Sequence, residues 1–542
     1  MDVAADVIDP SPTALKPITR RSSPLSHYVA LLLVLIIFAS IRIRLRNMPL
    51  ERDEGEYAYI GQLILHGVPP YKLAYNMKLP GTYVMYAVIM GIFGQTILGI
   101  RIGILLTNAV TTVLIFLLGR RIFGSFAGVV AAATYALFSN RVSLMSLDGH
   151  ATHFVALAAL IAILLFFRAL ESGRTSTVFY SGLFYGLAFL MKQHGLLLAM
   201  FGVFYWAWSQ WKTKPPRRIW IRQGLALLTG IAVPFVLTCV IMLGAGVFRT
   251  FWFWTFSYSS KYVAIIGLHD GWNLLSSLLP WALHPLVISS IATFALASMF
   301  WDSEVRRQGV FLIGYALFSF LAVCPGLYFR PHYFILILPP LALLVGVGLA
   351  AAQQLLQQHR FRFLPSWLPL VFFVLSYLTA IYGHRRFLFK MTPVEVNRAM
   401  HKGQACAEAI TVADYLKSHS SPNDQVAILG SEPEIFFYTR LRSASGYMYV
   451  YPLMEPQPFA PLMTQQFIGQ IESSRPRFVV YEDNQLSWGW QYPIKEKKYI
   501  FDWIRSYIPA NYNLDAELPI AGNGYHLWDG QPKFYIYEIK QQ

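Results

Sequence analysis

Charge is scarce in this chain. Of its 542 residues, 13% are Asp, Glu, Lys or Arg, roughly half the share usual in a soluble domain. That excludes one large soluble globule. Cysteine is scarcer still: Cys239, Cys324 and Cys406 lie far apart, so neither a disulfide framework nor a cysteine metal motif is present. HExxH, DxD and Cys/His clusters are absent, as are glycine-rich phosphate loops and a serine nucleophile elbow. Zincin, nucleotide-binding and serine-hydrolase readings therefore have no sequence support. His150 and His153 stand three apart, but no third ligand follows from their spacing, so no metal is assigned.

What the chain has in abundance is apolar surface: 55% of its residues are hydrophobic and 15% of the whole chain is aromatic. Runs long enough to span a bilayer recur from residue 27 to residue 384. The fold expected is a polytopic α-helical membrane protein of about 11–13 spans with a small C-terminal α/β domain. Residues 1–26 carry four prolines and no helical period, and read as a disordered cytoplasmic tail. Residues 27–384 form the membrane domain, with a first exterior loop at 47–80. Residues 385–542 have the polarity of a soluble exterior domain, with strands expected at 424–430, 477–482 and 534–538 and helices at 405–418 and 501–508.

The net charge of +16 does not point to nucleic acid, because its Lys and Arg fall in short clusters between apolar runs. With Arg120-Arg121, the 212–222 cluster, Arg306-Arg307 and Arg360/Arg362 inside, alternation puts 47–80, 146–150, 192–194, 247–279, 325–331 and the C-terminal domain outside. This requires residues 81–119, apolar but broken at Phe93-Gly-Gln-Thr96, to cross an odd number of times. The conspicuous polar groups then share one face of a cell (inner or plasma) membrane. Phe251-Trp-Phe-Trp254 reads as an interfacial belt or, less simply, a groove wall.

Asp53, Glu54 and Glu56 crowd directly after the first apolar run. Carboxylates so close repel, and one in a partly dry setting becomes a proton acceptor; a solvated loop ending a helix accounts for the same spacing. Tyr57 opens a short apolar period that suits a helix lying in the interface. Lys78, among Leu73, Ala74, Met77 and Leu79, either snorkels or takes a counter-ion such as a lipid phosphate. Asp148 stands between two apolar runs beside His150, as a functional acid or a helix N-cap. Lys192 and His194 break two further runs. Arg330, His332 and Tyr333 gather at a helix start, which suits an oxyanion.

In order and spacing these elements resemble the GT-C membrane glycosyltransferases. The carrying features are the acidic pair after the first helix, the Tyr-Ala helix, Lys78-x-Pro80, Gly119-Arg-Arg-x-Phe-Gly124, an isolated Asp opening a later span, and Arg330 to Pro340. The nearest patterns are the aminoarabinose lipid A transferases and the protein O-mannosyltransferases of the dolichyl-phosphate-mannose type.

The resemblance implies an inverting transfer of sugar from a polyprenyl-phosphate donor to a lipid, glycan or protein acceptor on the exterior face. It makes Asp53 the general base, with Glu54 beside it and Asp148 positioning substrate. Lys78, Arg330 and Lys192 meet the donor phosphate, and no cofactor is required. Tyr57, His150, His194, His332 and Tyr333 are the substrate-binding candidates. Met77 stands where the aminoarabinose transferases often carry Glu, which leaves the donor sugar open. The alternative reading is a transporter or flippase of lipid-linked saccharide without chemistry, since intramembrane charge serves transport as well.

Overall fold

The computed structural model describes residues 24–358, 364–489, 496–521 and 531–540. Most of the expected N-terminal tail, and Arg360 and Arg362, lie outside the described residues. Helix α1 (Leu25–Arg44) is followed by α2 (Arg52–Leu65). The acids expected in a loop instead form the first turn of α2. Glu51 is its N-cap and makes a capping box with Glu54, which satisfies two otherwise orphaned amides.

The run at 81–119 is two helices. α3 (Gly81–Phe93) ends at Gly94, and Thr96 caps α4 (Ile97–Phe123). Then come α5 (Ser125–Phe138), α6 (Ala151–Ser172), α7 (Thr175–Met191), α8 (Gly195–Thr213) and α9 (Arg217–Gly244). Short helices α10 (Phe248–Trp252) and α11 (Ser259–Tyr262) lead to α12 (Leu268–Leu283) and α13 (Leu286–Ser298), bent by 96° at their junction. After α14 (Ser303–Arg307) the apolar series ends with α15 (Gly309–Leu321), α16 (Leu338–Gln357) and α17 (Leu368–Gly383).

Among the described residues five helices are long and apolar enough to cross a membrane, or six if the bent pair counts as one span. Five shorter apolar helices accompany them. A 13-residue helix such as α3 is about 20 Å long, short of a ~30 Å hydrocarbon core. The chain is a multi-pass membrane protein.

Beyond α18 (Pro393–Met400) and α19 (Glu408–His419) lies a five-stranded sheet: β1 (Gln425–Leu429), β2 (Arg442–Ser443), β3 (Phe478–Glu482), β4 (Tyr512–Pro519) and β5 (Lys533–Ile539). Helices α20 (Glu434–Thr439), α21 (Tyr451–Met454), α22 (Ala460–Ser474) and α23 (Glu496–Asn511) intervene. The order is β2-β1-β3-β5-β4; β1 is parallel to β2 and β3, and β5 is antiparallel to both its neighbours. Three of these strands and two helices coincide with the expected ones.

The two regions share one hydrophobic core. At their contact a Cβ on Gly55 would stand 2.5 Å from the Glu434 amide nitrogen, so α2 meets α20 backbone to backbone and no side chain fits. Phe251 and Trp254 are buried, and Trp254 stacks on Tyr75 and packs against Tyr447 of the C-terminal region. The aromatic run thus forms a joint between the two regions, not the interfacial belt expected.

Candidate active site

Helix α2 presents its acids in two directions. Glu54 faces α4: the Arg101 guanidinium donates to both its oxygens at 2.6 and 2.9 Å, and the Gly149 amide donates to Oε1 at 2.6 Å. Its lone pairs are occupied by the scaffold, so it fixes α2 against α4 and the 146–150 segment. This is a structural task where the resemblance suggested a chemical one. Burial raises its carboxyl, only partly countered by Arg101.

Asp53 and Glu56 face Lys78. The ammonium donates to Asp53 Oδ1 at 2.8 Å and to Glu56 Oε2 at 2.6 Å, and lies 4.6 Å from the Tyr57 ring centroid. Its counter-ions are therefore protein carboxylates, where the sequence suggested a lipid phosphate. Glu56 also accepts from Tyr83 at 2.6 Å and from Tyr449 at 3.1 Å. Its side chain is fully buried, whereas that of Asp53 is 29% exposed. Asp53 is thus the more accessible carboxylate of this pair. Burial alone would raise its carboxyl, but Lys78, then His150, hold it well below the usual range.

Asp148 does not cap α6; His150 occupies that position. Instead Asp148 Oδ2 lies 3.0 Å from His401 Nε2, while Oδ1 has no hydrogen-bond partner and stands 3.9 Å from Arg101. Burial raises this carboxyl, but His401, then His150 and Arg101, together more than offset it, so it is held below its ordinary value. His150 lies 3.9 Å from Asp53 and 3.8 Å from Asp148, and stacks on His332 with centroids 4.0 Å apart. Burial pushes His150 down to about 4, so it is neutral at physiological pH.

The remaining candidates converge on the same place. Lys192 lies 3.7 Å from the Tyr333 ring centroid, and His194 and His332 flank that ring at 4.7 and 4.8 Å. His194 Nδ1 is 2.6 Å from the Ala322 carbonyl, so its ring is tied to the scaffold. Arg330 reaches Tyr262 at 3.4 Å. Among the described residues, no carboxylate lies within ion-pair distance of Lys192 or Arg330. Burial drives Lys192 well below its usual range; Asp53 partly counters this, and Lys78 and Arg330 add repulsion. Lys192, half-buried, and Arg330, exposed, are cations without carboxylate partners and leave an anion-seeking surface facing Asp53.

Asp53, His150 and His332 also bring one ligand atom each within 4.8 Å of one another. Of the His150/His153 pair weighed in the sequence only His150 takes part, joined by Asp53 and by His332 from distant segments of the chain. The geometry could hold a divalent cation.

Sequence reasoning missed Arg101, His401, Tyr83 and Tyr449. Arg101 sits inside an apolar run, which is a usable signal. His401 and Tyr449 lie in the polar C-terminal region, where nothing local sets them apart.

The profile of the dolichyl-phosphate-mannose-protein mannosyltransferase family matches residues 78–243. The undecaprenyl phosphate-alpha-4-amino-4-deoxy-L-arabinose arabinosyl transferase 2 of Pseudomonas fluorescens (strain Pf0-1) is 26% identical over 317 residues, 55% of each chain. The corresponding transferase of Pseudomonas aeruginosa (strain PAO1) is 27% identical over 321 residues, again 55% of each. The match spans about half the length of these curated relatives.

The crystal structure of ArnT from Cupriavidus metallidurans bound to undecaprenyl phosphate superposes with a TM-score of 0.56 at 14% identity, over 94% of this chain and 97% of that one. The archaeal oligosaccharyltransferase AglB from Archaeoglobus fulgidus, in complex with an inhibitory peptide and a dolichol-phosphate, gives 0.51 at 13% identity, over 93% and 74%. The chain is thus similar in fold to these two membrane proteins and, over residues 78–243, in sequence to the dolichyl-phosphate-mannose-protein mannosyltransferase family.

Proposed function

We propose that the protein transfers a sugar from a polyprenyl-phosphate donor to an acceptor on the exterior face of the cell membrane, with inversion and with Asp53 as general base. The observation that carries this reading is the Lys78–Asp53 pair at 2.8 Å, set beside Lys192 and Arg330, two cations that lack carboxylate partners. In the resting site Lys78 neutralises Asp53. A donor phosphate entering between Lys78, Lys192 and Arg330 takes over the ammonium. Asp53, losing its partner in a dry setting, becomes a stronger base as the leaving phosphate becomes better stabilised.

The acceptor hydroxyl or amine gives its proton to Asp53 as it attacks the anomeric carbon. The bond to phosphate breaks with its electron pair, and a single displacement inverts the centre. Asp148, through its free Oδ1, positions the acceptor or the sugar. Tyr57, His150, His332 and Tyr333 wall the sugar space. Lys78, Arg330 and Lys192 supply the charge that a bound cation would otherwise bring, so no cofactor is invoked. The relatives' donors, an undecaprenyl-phosphate aminosugar in the arabinosyl transferases, support the lipid class. Met77 beside Lys78 leaves the sugar itself undetermined.

The test is native mass spectrometry of the detergent-purified protein supplied with undecaprenyl phosphate, paired with a transfer assay. Retention in wild type, loss in Lys78→Ala, and an Asp53→Asn variant that keeps the lipid but does not transfer are the expected results. An Asp53→Asn variant that moves saccharide as wild type does would overturn the chemistry and favour a flippase.

A further inference from the structure

A partly open cleft lies beside the 139–148 segment, lined there by Asn140 and Arg141. Its walls are α1 (Ile37, Phe38, Ile41), the end of α5 (Ala136, Leu137) and α17 (Tyr377, Ala380, Ile381). Ile37 at its mouth is exposed, as are Leu33 and Leu378 on the flanking helix faces, so the cleft opens towards the hydrocarbon.

Its inner end is polar and basic. Asn140 and Arg141 line it, 5% and 2% exposed, and His384 closes it. Asn140 Oδ1 and Arg141 Nε are buried without hydrogen-bond partners. The other Arg141 nitrogens donate to the carbonyls of Trp281, Ala282 and His284 at the end of α12. The His284 and His384 rings lie parallel, 6.1 Å apart, and Arg385 follows. Among the described residues no carboxylate lies within ion-pair distance of Arg141. A buried guanidinium with only carbonyl partners and neighbouring imidazoles is a charge that calls for an anion. A free N–H donor beside an apolar trough specifies an amphiphile. The cleft shares no lining residue with Lys78, Lys192 or Arg330.

We propose that this cleft binds an anionic membrane phospholipid, one chain along Ile37, Ile41 and Ile381 and the phosphate against Arg141. The bound lipid also has a route to the acid cluster. Ile41, Ile381 and Leu388 line the cleft and pack with Leu147, the residue before Asp148. Arg42 donates to the carbonyls of Ser139 and Ser146 at 2.7 Å, holding the intervening loop as one piece.

The test uses the full chain in mixed micelles of phosphatidylglycerol and phosphatidylcholine of matched acyl chains, followed by native mass spectrometry. One phosphatidylglycerol should survive delipidation, at least tenfold in preference to phosphatidylcholine. Ala380→Trp, which fills the trough, and Arg141→Gln should each lower its retention tenfold or more, while Lys78→Ala leaves it unchanged. A diazirine-bearing phosphatidylglycerol should label peptides covering Ile37–Ile41 and Tyr377–Ile381 in wild type, which keeps the idea testable should either variant fail to fold. Equal retention of the two lipids, undiminished retention in Ala380→Trp, or label spread evenly over the exposed face of α9 would each overturn the proposal. Because no step of the readout is sugar transfer, its failure is separate from failure of the transferase reading.

Discussion

The Lys78 ammonium lies 2.8 Å from the Asp53 carboxylate, and this contact keeps the most accessible acid of the cluster ionised yet weakly basic. In the proposed transfer, donor binding and base activation are one event, because the phosphate competes with Asp53 for the same cation.

Replacing Asp53 by Asn should lower kcat by about 10²–10⁴-fold, the usual worth of a positioned base. Polyprenyl-phosphate retention should not change. Glu54→Gln should behave differently, since it breaks the fork to Arg101. We expect a lower Tm in detergent with activity falling in proportion to folded protein. Parallel thermal and kinetic measurements on the two variants check this.

Removing Lys78 should move the acid limb of kcat/KM. In wild type the Asp53 carboxyl is held well below the ordinary range, so it stays ionised in mild acid. In Lys78→Ala burial acts with only His150 and more distant cations to oppose it, and its pKa rises. Residual transfer, followed from about pH 4 to pH 8, should be lost at a higher pH than in wild type.

His401 reaches Asp148 from the C-terminal region. His401→Ala removes the largest favourable influence on that carboxylate, whose pKa should rise. Activity should fall by about one order of magnitude, more steeply at low pH, if Asp148 works ionised; a charge-assisted contact of this kind is worth roughly 1.5–3 kcal/mol. His401→Gln, which can still donate, should recover part of it. A pH series on the two variants separates this from a loss of fold.

The carboxyl of Glu434 is fully buried with both oxygens unpartnered. Burial, then neighbouring Glu432, pushes it up to about 8. The folded state therefore binds a proton that the unfolded chain releases near its ordinary value. Between roughly pH 4.5 and 8 stability falls as pH rises, by at most about 1.4 kcal/mol per unit. Tm in detergent should drop across this window, and Glu434→Gln should flatten the slope.

Because Lys78, Lys192 and Arg330 carry the positive charge, exhaustive dialysis against a chelator should leave transfer intact. Metal analysis of the dialysed protein beside the assay decides this. Loss restored by one divalent ion would assign that ion to Asp53, His150 and His332.

The readable features were those that broke a pattern. Acids and bases interrupt apolar runs at Asp53, Lys78, Asp148 and Lys192, and strands such as Phe478–Glu482 are continuous apolar runs in a polar region. What could not be read was pairing. Arg101 and Glu54 are 47 residues apart, and His401 and Asp148 are 253 apart; no local period encodes either. β4 was missed because its outward positions are exposed and partly charged, so no apolar signal marks it. Glu54 looked equivalent to Asp53 because neighbours in sequence share composition, yet on a helix adjacent residues point about 100° apart.

The backbone contact at Gly55 and Glu434 also imposes an order in time. His401, Tyr449 and Glu432 leave the ribosome long after Asp148, Glu56 and Arg52, which they contact. A nascent chain already threaded through the bilayer thus holds Asp148 without His401 and Arg52 without Glu432, and these contacts form only once the C-terminal region has been synthesised and has closed over the first helices.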